Sequence, residues 1–108
     1  MTHYACSGTY MEIFEGNAEL WRKIHAHILQ VVAKSFGDAM LANVLKVQQE
    51  DFNPADVRNS MKNTVSKIFV VLGEDATYNL LANSVEAIAG KDTSMIEACY
   101  ELIKEVSA

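Results

Sequence analysis

Three glycines, Gly37, Gly73 and Gly90, each close a run of apolar residues spaced three and four apart. That period is the helical one, and a glycine just past the last periodic residue is a helix stop. Start signals stand at the other ends of the runs. Asn17 precedes one run, Asp38 follows Gly37 at once, and Asn53-Pro54 pairs a capping side chain with a proline at the first helical position, where its missing N–H costs nothing. Ser94 and Glu97 have capping-box spacing. These signals predict helices near residues 17–36, 38–50, 54–72, 75–89 and 94–107. The expected buried faces are Trp21, Ile24, His25, Ile28 and Val32; Met40, Leu41, Val44 and Leu45; Val57, Met61, Val65, Ile68 and Leu72; Tyr78, Leu81, Val85 and Ile88; and Ile96, Cys99, Ile103 and Val106 with Leu102 beside them. The β-branched stretch IFVVL at 68–72 competes as a strand, but the helical pattern leading into it is continuous, so it reads as the buried end of a helix. The expected fold is all-α, a bundle of about five helices over residues 17–108. Residues 1–16, with GTYMEIF, read as an N-terminal arm or a short helix.

A shift of 36 residues lays Asn17 on Asn53, Trp21 on Val57, His25 on Met61, Leu29 on Val65, Val32 on Ile68, Phe36 on Leu72 and Gly37 on Gly73. MLANV at 40–44 and LLANSV at 80–85 come next, with a slip of about one helical turn. A period in this range suits two stacked helical hairpins closed by the C-terminal helix. Two similar amphipathic helices would give the same register.

Composition narrows the function classes. With 108 residues, a single domain is expected, and half the residues being hydrophobic gives it material for a core. The net charge of −5, with no Lys/Arg cluster, disfavours nucleic acid as a partner. Cys6 and Cys99 have no metal-ribbon or redox-motif spacing and read as two reduced thiols of a cytoplasmic protein. The N-terminal stretch lacks a basic region followed by a long apolar run, and nothing approaches the ~20 apolar residues of a membrane span. Neither a signal peptide nor a membrane contact is expected.

His25 and His27 are the most informative polar residues. Two residues apart on a helix, they point about 200° apart and cannot grip one ion together. His25 falls with Trp21 on the apolar face, which reads as a buried, hydrogen-bonded imidazole. The sharper reading makes Trp21 and His25 the lining of a ligand site, with His25 as an axial haem ligand, or as a metal ligand helped by His3 and Cys6. His27 falls with Lys23, Gln30 and Lys34 on the polar face.

From His27 the chain reads HILQVVAKSFG, with Leu29 two residues on and Gly37 ten on. This stretch resembles the active-site helix of histidine phosphotransfer domains, helical bundles that present an exposed histidine. The resemblance implies that His27 would be the phosphoacceptor and a response regulator the partner. It covers about a dozen residues. The family's lysine and glycine, three and four residues after the histidine, are replaced here by Gln30 and Val31. The lysine would help hold the phosphoryl group and the glycine would let the regulator approach. Residues 1–26 are also little chain for the helices such a bundle carries before its histidine.

The other polar residues have plain readings. Glu97, Glu101 and Glu105 form an acidic stripe on the last helix, as a solvated face would. Glu50-Asp51 and Glu74-Asp75 sit at helix junctions, where they compensate helix dipoles. Cys99 lies on a core face as a small hydrophobe. No catalytic set, cofactor motif or metal site is expected. The sequence therefore reads as a small non-catalytic regulatory or protein-interaction module. Leu29 and Val31, and Phe69, Val70 and Val71, widen two apolar stripes beyond their main face, so a homodimer is the expected partner arrangement. The alternatives are a helical ligand-binding sensor, taking haem or a small apolar ligand near Trp21 and His25, and a phosphotransfer protein using His27.

Overall fold

All three stop glycines end a helix with a positive φ, 94° at Gly37, 85° at Gly73 and 75° at Gly90. A side chain there would be strained. Each glycine N–H closes the last turn on a carbonyl four residues back: Ala33, Phe69 and Glu86, at 2.8, 2.9 and 3.0 Å. The structure, a computed structural model, describes residues 12–108. Residues 12–15 are helical and lead into α1 (Ala18–Phe36). A π-helical turn (Met40–Leu45) and a 3₁₀ turn (Gln49–Asp51) come next, then α2 (Val57–Leu72), α3 (Glu74–Ala89) and α4 (Thr93–Ser107). The all-α bundle is as expected, and there is no strand among the described residues. IFVVL completes α2, with Ile68 buried and Val70 exposed. No helix among the described residues is long and apolar enough to cross a membrane.

The expected helix over 38–50 forms only over residues 38–45, mostly as a π-helical turn, and the burial pattern gives the reason it goes no further. Leu45 and Val47 are both buried, at 5% and 3% exposure. Two residues apart on one helix, they would point to opposite sides. The chain instead breaks between them at Lys46, which takes left-handed backbone at φ 56°. Leu41 O accepts from the N–H of both Lys46 and Val47, which winds the segment as a π turn and then reverses it. Val44, expected on the inner face, is exposed.

Helix starts also differ from the sequence reading. Asn17 occupies the cap position of α1 but accepts nothing there; its amide donates to Ile13 O at 2.9 Å, the carbonyl that Trp21 Nε1 also uses at 2.8 Å. Asn53 caps a local turn, its Oδ1 accepting from Ala55 N–H at 2.9 Å, and α2 begins only at Val57. The first free N–H groups of α2 go to a distant residue. The Glu15 carboxylate accepts from Val57 N–H at 3.3 Å and from Arg58 N–H at 3.2 Å. At α4 the cap is Asp92, which accepts from Met95 N–H at 3.2 Å, so the Ser94–Glu97 spacing is not a capping box. The 36-residue register therefore survives at the helix ends, Ala33/Gly37 and Phe69/Gly73. It fails at the helix starts. It fails again beyond the glycines, where one copy continues into the π turn and the other into α3.

Helix α3 packs on α1, α2 and α4, and α4 returns along it after Gly90. The core is built from the predicted stripes, with Trp21, Ile28, Met61, Ile68, Leu81, Leu102 and Ile103 fully or almost fully buried. Phe14 is buried too and stacks on Trp21 at 4.8 Å between ring centroids, so the short helical turn at residues 12–15 contributes to this core. Helices α1 and α2 run in the same general direction, since Glu15 meets the start of α2 and His25 meets Thr64 further along. Their C-terminal ends thus share one end of the molecule. The π turn joins them there, with Lys67 Nζ donating to Lys46 O at 3.2 Å.

The Glu15 cap is a charge-assisted pair of bonds holding the pre-α1 turn to α2. Glu15→Ala is expected to lower unfolding free energy by about 1–2 kcal/mol. Glu50→Ala, on an exposed residue, should change it by less than about 0.5 kcal/mol. Urea denaturation of the two variants beside the parent checks this, and equal effects would show the cap to be inert.

Candidate functional site

The helical phase of α1 separates the two histidines as expected: His25 is fully buried and His27 half-buried. His25 reaches across to two other segments. Its Nδ1 lies 3.0 Å from Gln49 Oε1 in the 3₁₀ turn, and its Nε2 lies 2.8 Å from Thr64 Oγ1 in α2. The Phe52 ring packs beside it, 5.5 Å between centroids. Gln49 Nε2 donates to Arg22 O at 3.3 Å, which turns Oε1 toward the imidazole. His25 therefore donates from Nδ1, and as the neutral tautomer it accepts at Nε2 from the Thr64 hydroxyl. Burial holds its proton affinity below the usual histidine range, with the Gln49 hydrogen bond and the Asp51 charge opposing that in part.

Both nitrogens of His25 are thus engaged within the chain. Ligating a metal or haem through either one would require breaking a buried hydrogen bond. Trp21, the other residue of the candidate ligand site, is fully buried, stacked on Phe14 and hydrogen-bonded to Ile13 O. The two lie on one face of α1, but each is satisfied by its own neighbours. His3 and Cys6, the remaining members of the suggested metal set, lie outside the described residues. Among the described residues no three His, Cys, Asp or Glu side chains converge as a metal site would require.

His27 does not stand on a free solvated face. Its Nδ1 lies 2.9 Å from Ser84 Oγ on α3, a serine that is fully buried. The enclosure arises because α1 packs on α2 on one side and on α3 on the other. A one-stripe reading of the helix counts the core face but not this flank. Lys23, Gln30 and Lys34 are exposed as expected. Gln30 and Val31, where the phosphotransfer pattern has lysine and glycine, supply neither the cation nor the bare backbone that the pattern uses.

Three partners of the histidines are not among the residues that the sequence singles out. Thr64 is a polar residue at a core position of the α2 stripe, and Ser84 holds the same place on α3. A buried hydroxyl needs a partner, so each polar residue within an apolar stripe is a usable signal. Gln49 offers none, because it reaches His25 only through the break at Lys46. Thr77, next in the α3 row, has a buried hydroxyl without a hydrogen-bond partner among the described residues. The Cys99 thiol is sealed in the core, where burial pushes it up to about 12, and is unreactive there.

The ion pairs are exposed or half-exposed. They link Glu19 with Arg22, Glu105 with Arg58 and Lys62, and Glu101 with Lys104. Such pairs contribute little to stability. Comparison with protein-family models, with curated proteins and with solved structures returns no match for the chain.

The histidine geometry sets a pH response. The folded state lowers the proton affinity of His25, so the unfolded chain takes up the proton first as pH falls. Stability is therefore expected to be full above the ordinary value of 6.5 and to decline as pH falls through it. Glu105, held below 4.5 against its own desolvation by Arg58 and Lys62, adds a separate loss only at lower pH. Urea denaturation across this range checks the first window. In His25→Leu the decline just below 6.5 should vanish, at a cost of about 2–4 kcal/mol in absolute stability from orphaned Thr64 and Gln49. An unchanged pH profile in that variant would contradict the assignment.

Proposed function

We propose that this chain is a non-catalytic protein-interaction module that works through one end of its bundle and self-associates there. The observation that carries the reading is where the large apolar side chains remain uncovered. Of the five exposed among the described residues, four lie at the end where α1, α2 and the π turn meet: Phe36 at 51%, Val44 at 58%, Val70 at 82% and Val71 at 41%. Scattered single hydrophobics on a surface are ordinary, but a concentration of them marks a contact region. Val70 and Val71 are members of the widened stripe on α2 that the sequence points to. Leu29, its counterpart on α1, is buried at 8% and takes no part. Val31 and Phe69 are partly covered.

The polar residues support the same reading. His25 and Trp21 have their polar groups satisfied inside the chain, and Cys99 is inert. They serve the fold, and the outward-facing chemistry at this end is apolar contact. A reducing, cytoplasmic setting suits a chain whose buried Cys99 is a free thiol.

Site-specific photo-cross-linking in cells tests the reading. A benzophenone side chain at position 70 is expected to give protein adducts, with another copy of the chain or with a second protein. The same group at exposed Asn59, at the start of α2, should give none. Absence of adducts at position 70, or equal yields at both positions, would remove the module reading.

A further inference from the structure

We infer that residues 46–52 form a strap that opens as a unit from an otherwise intact bundle, with His25 as its latch and protonation of that ring as its release. The strap is bounded at both ends. At Lys46 the chain reverses in left-handed backbone, φ 56°, which a residue with a side chain adopts at some cost. Lys67 Nζ holds Lys46 O there. At the other end Asn53 N–H donates to Ser60 Oγ at 2.8 Å, and Pro54 follows. Between these points the only regular structure is the 3₁₀ turn, too short to stand without support. Val47 and Phe52 hold it to the core, and Gln49 holds it to the His25 ring and to Arg22 O. The four α-helices pack on one another directly and do not need the strap between them.

His25 is fully buried, and the neutral ring uses both nitrogens, on Gln49 Oε1 and Thr64 Oγ1. A second proton would place a cation there without a counter-ion. The 3₁₀ turn brings Asp51, which is exposed and accepts from Gln48 N–H at 2.8 Å, so its carboxylate acts on the ring only from a distance. From α2 comes the uncharged Thr64, and on α1 the Arg22 guanidinium is paired with Glu19. Among the described residues no carboxylate lies within ion-pair reach of His25. A buried charge of this kind is relieved by water. Of the two segments bonded to the ring, the strap is the one that can leave, because Thr64 is fixed within α2. Opening lifts Gln49 and Phe52 off the imidazole and lets the charged ring be hydrated, so protonation favours the open form.

Native-state hydrogen exchange of the full chain, followed by NMR, reads the result. The amides of Val47, Asp51 and Phe52, bonded to Leu41 O, Gln48 O and Gln49 O, report the strap, and amides within α2, α3 and α4 report the bundle. Strap amides are expected to exchange faster than bundle amides, and with little dependence on added urea, as a local opening does. From about pH 7.5 to about pH 5.5, after correction for intrinsic exchange, strap opening should rise several-fold. Its limit is the roughly tenfold that one proton allows when the open form has the ordinary histidine value of 6.5. The rise should follow the ring-proton shifts of His25. Gln49→Ala, which removes the latch contact without changing the ring, should raise strap opening about fivefold or more at about pH 7.5. Strap and bundle amides that share one opening constant and one urea dependence overturn the inference. So does strap exchange that is indifferent to pH, or that follows His27 instead. A strap unaffected by Gln49→Ala overturns the latch.

Discussion

The buried imidazole of His25 is the point on which the arrangement of this fold depends. It joins α1, the 3₁₀ turn and α2 through one hydrogen bond on each nitrogen. The segment between Lys46 and Asp56 contains no α-helix, so it lacks the internal hydrogen-bond ladder that fixes the rest of the chain. Its position is set instead by anchors: Val47 and Phe52 in the core, and Gln49 on His25 and Arg22 O. An apolar side chain at position 25 could fill the volume, but it would not specify where Gln49 must sit. Buried polar pairs that are fully satisfied act in this way, adding specificity more than net stability.

The two ends of the bundle do different things. Near the start of α2, the Glu15 carboxylate caps the helix, and Glu105 of α4 pairs with Arg58 and Lys62. Glu15, Arg58, Lys62 and Glu105 there are engaged within the chain. About 18 Å further along α2, at the rise of a regular helix, Val70 and Val71 face outward. His27 links the faces between these ends, holding α1 to Ser84 of α3. The capping and ion-pair contacts of α2 thus lie at the opposite end from its uncovered apolar residues.

The range of each interaction decides how much of this is legible in the sequence. Glycine stops and the apolar stripes of four helices are local signals, and Gly37, Gly73, Gly90 and the buried rows on α1, α2, α3 and α4 stand where those signals put them. Helical phase alone gives the opposite orientations of His25 and His27. The caps are not legible, because the real ones are chosen by tertiary contact: nothing near residue 57 points to Glu15. In the stretch 38–50, periodicity suggests one helix throughout, and only the joint burial of Leu45 and Val47 shows that it must stop after residue 45. The flank of α1 that meets α3 is hidden because a stripe shows a core direction but not how many neighbours a helix has.

The central role of His25 is tested most directly by its tautomer, read from the nitrogen chemical shifts and proton couplings of the imidazole in the folded protein. The hydrogen-bond geometry requires a neutral ring at neutral pH, protonated on Nδ1 and accepting at Nε2, slow to exchange with solvent and still neutral somewhat below pH 6.5. A ring that takes up its second proton at or above that pH, or that carries its proton on Nε2 and exchanges freely, would contradict it. The 3₁₀ turn would then have to be held to the bundle by something other than this histidine.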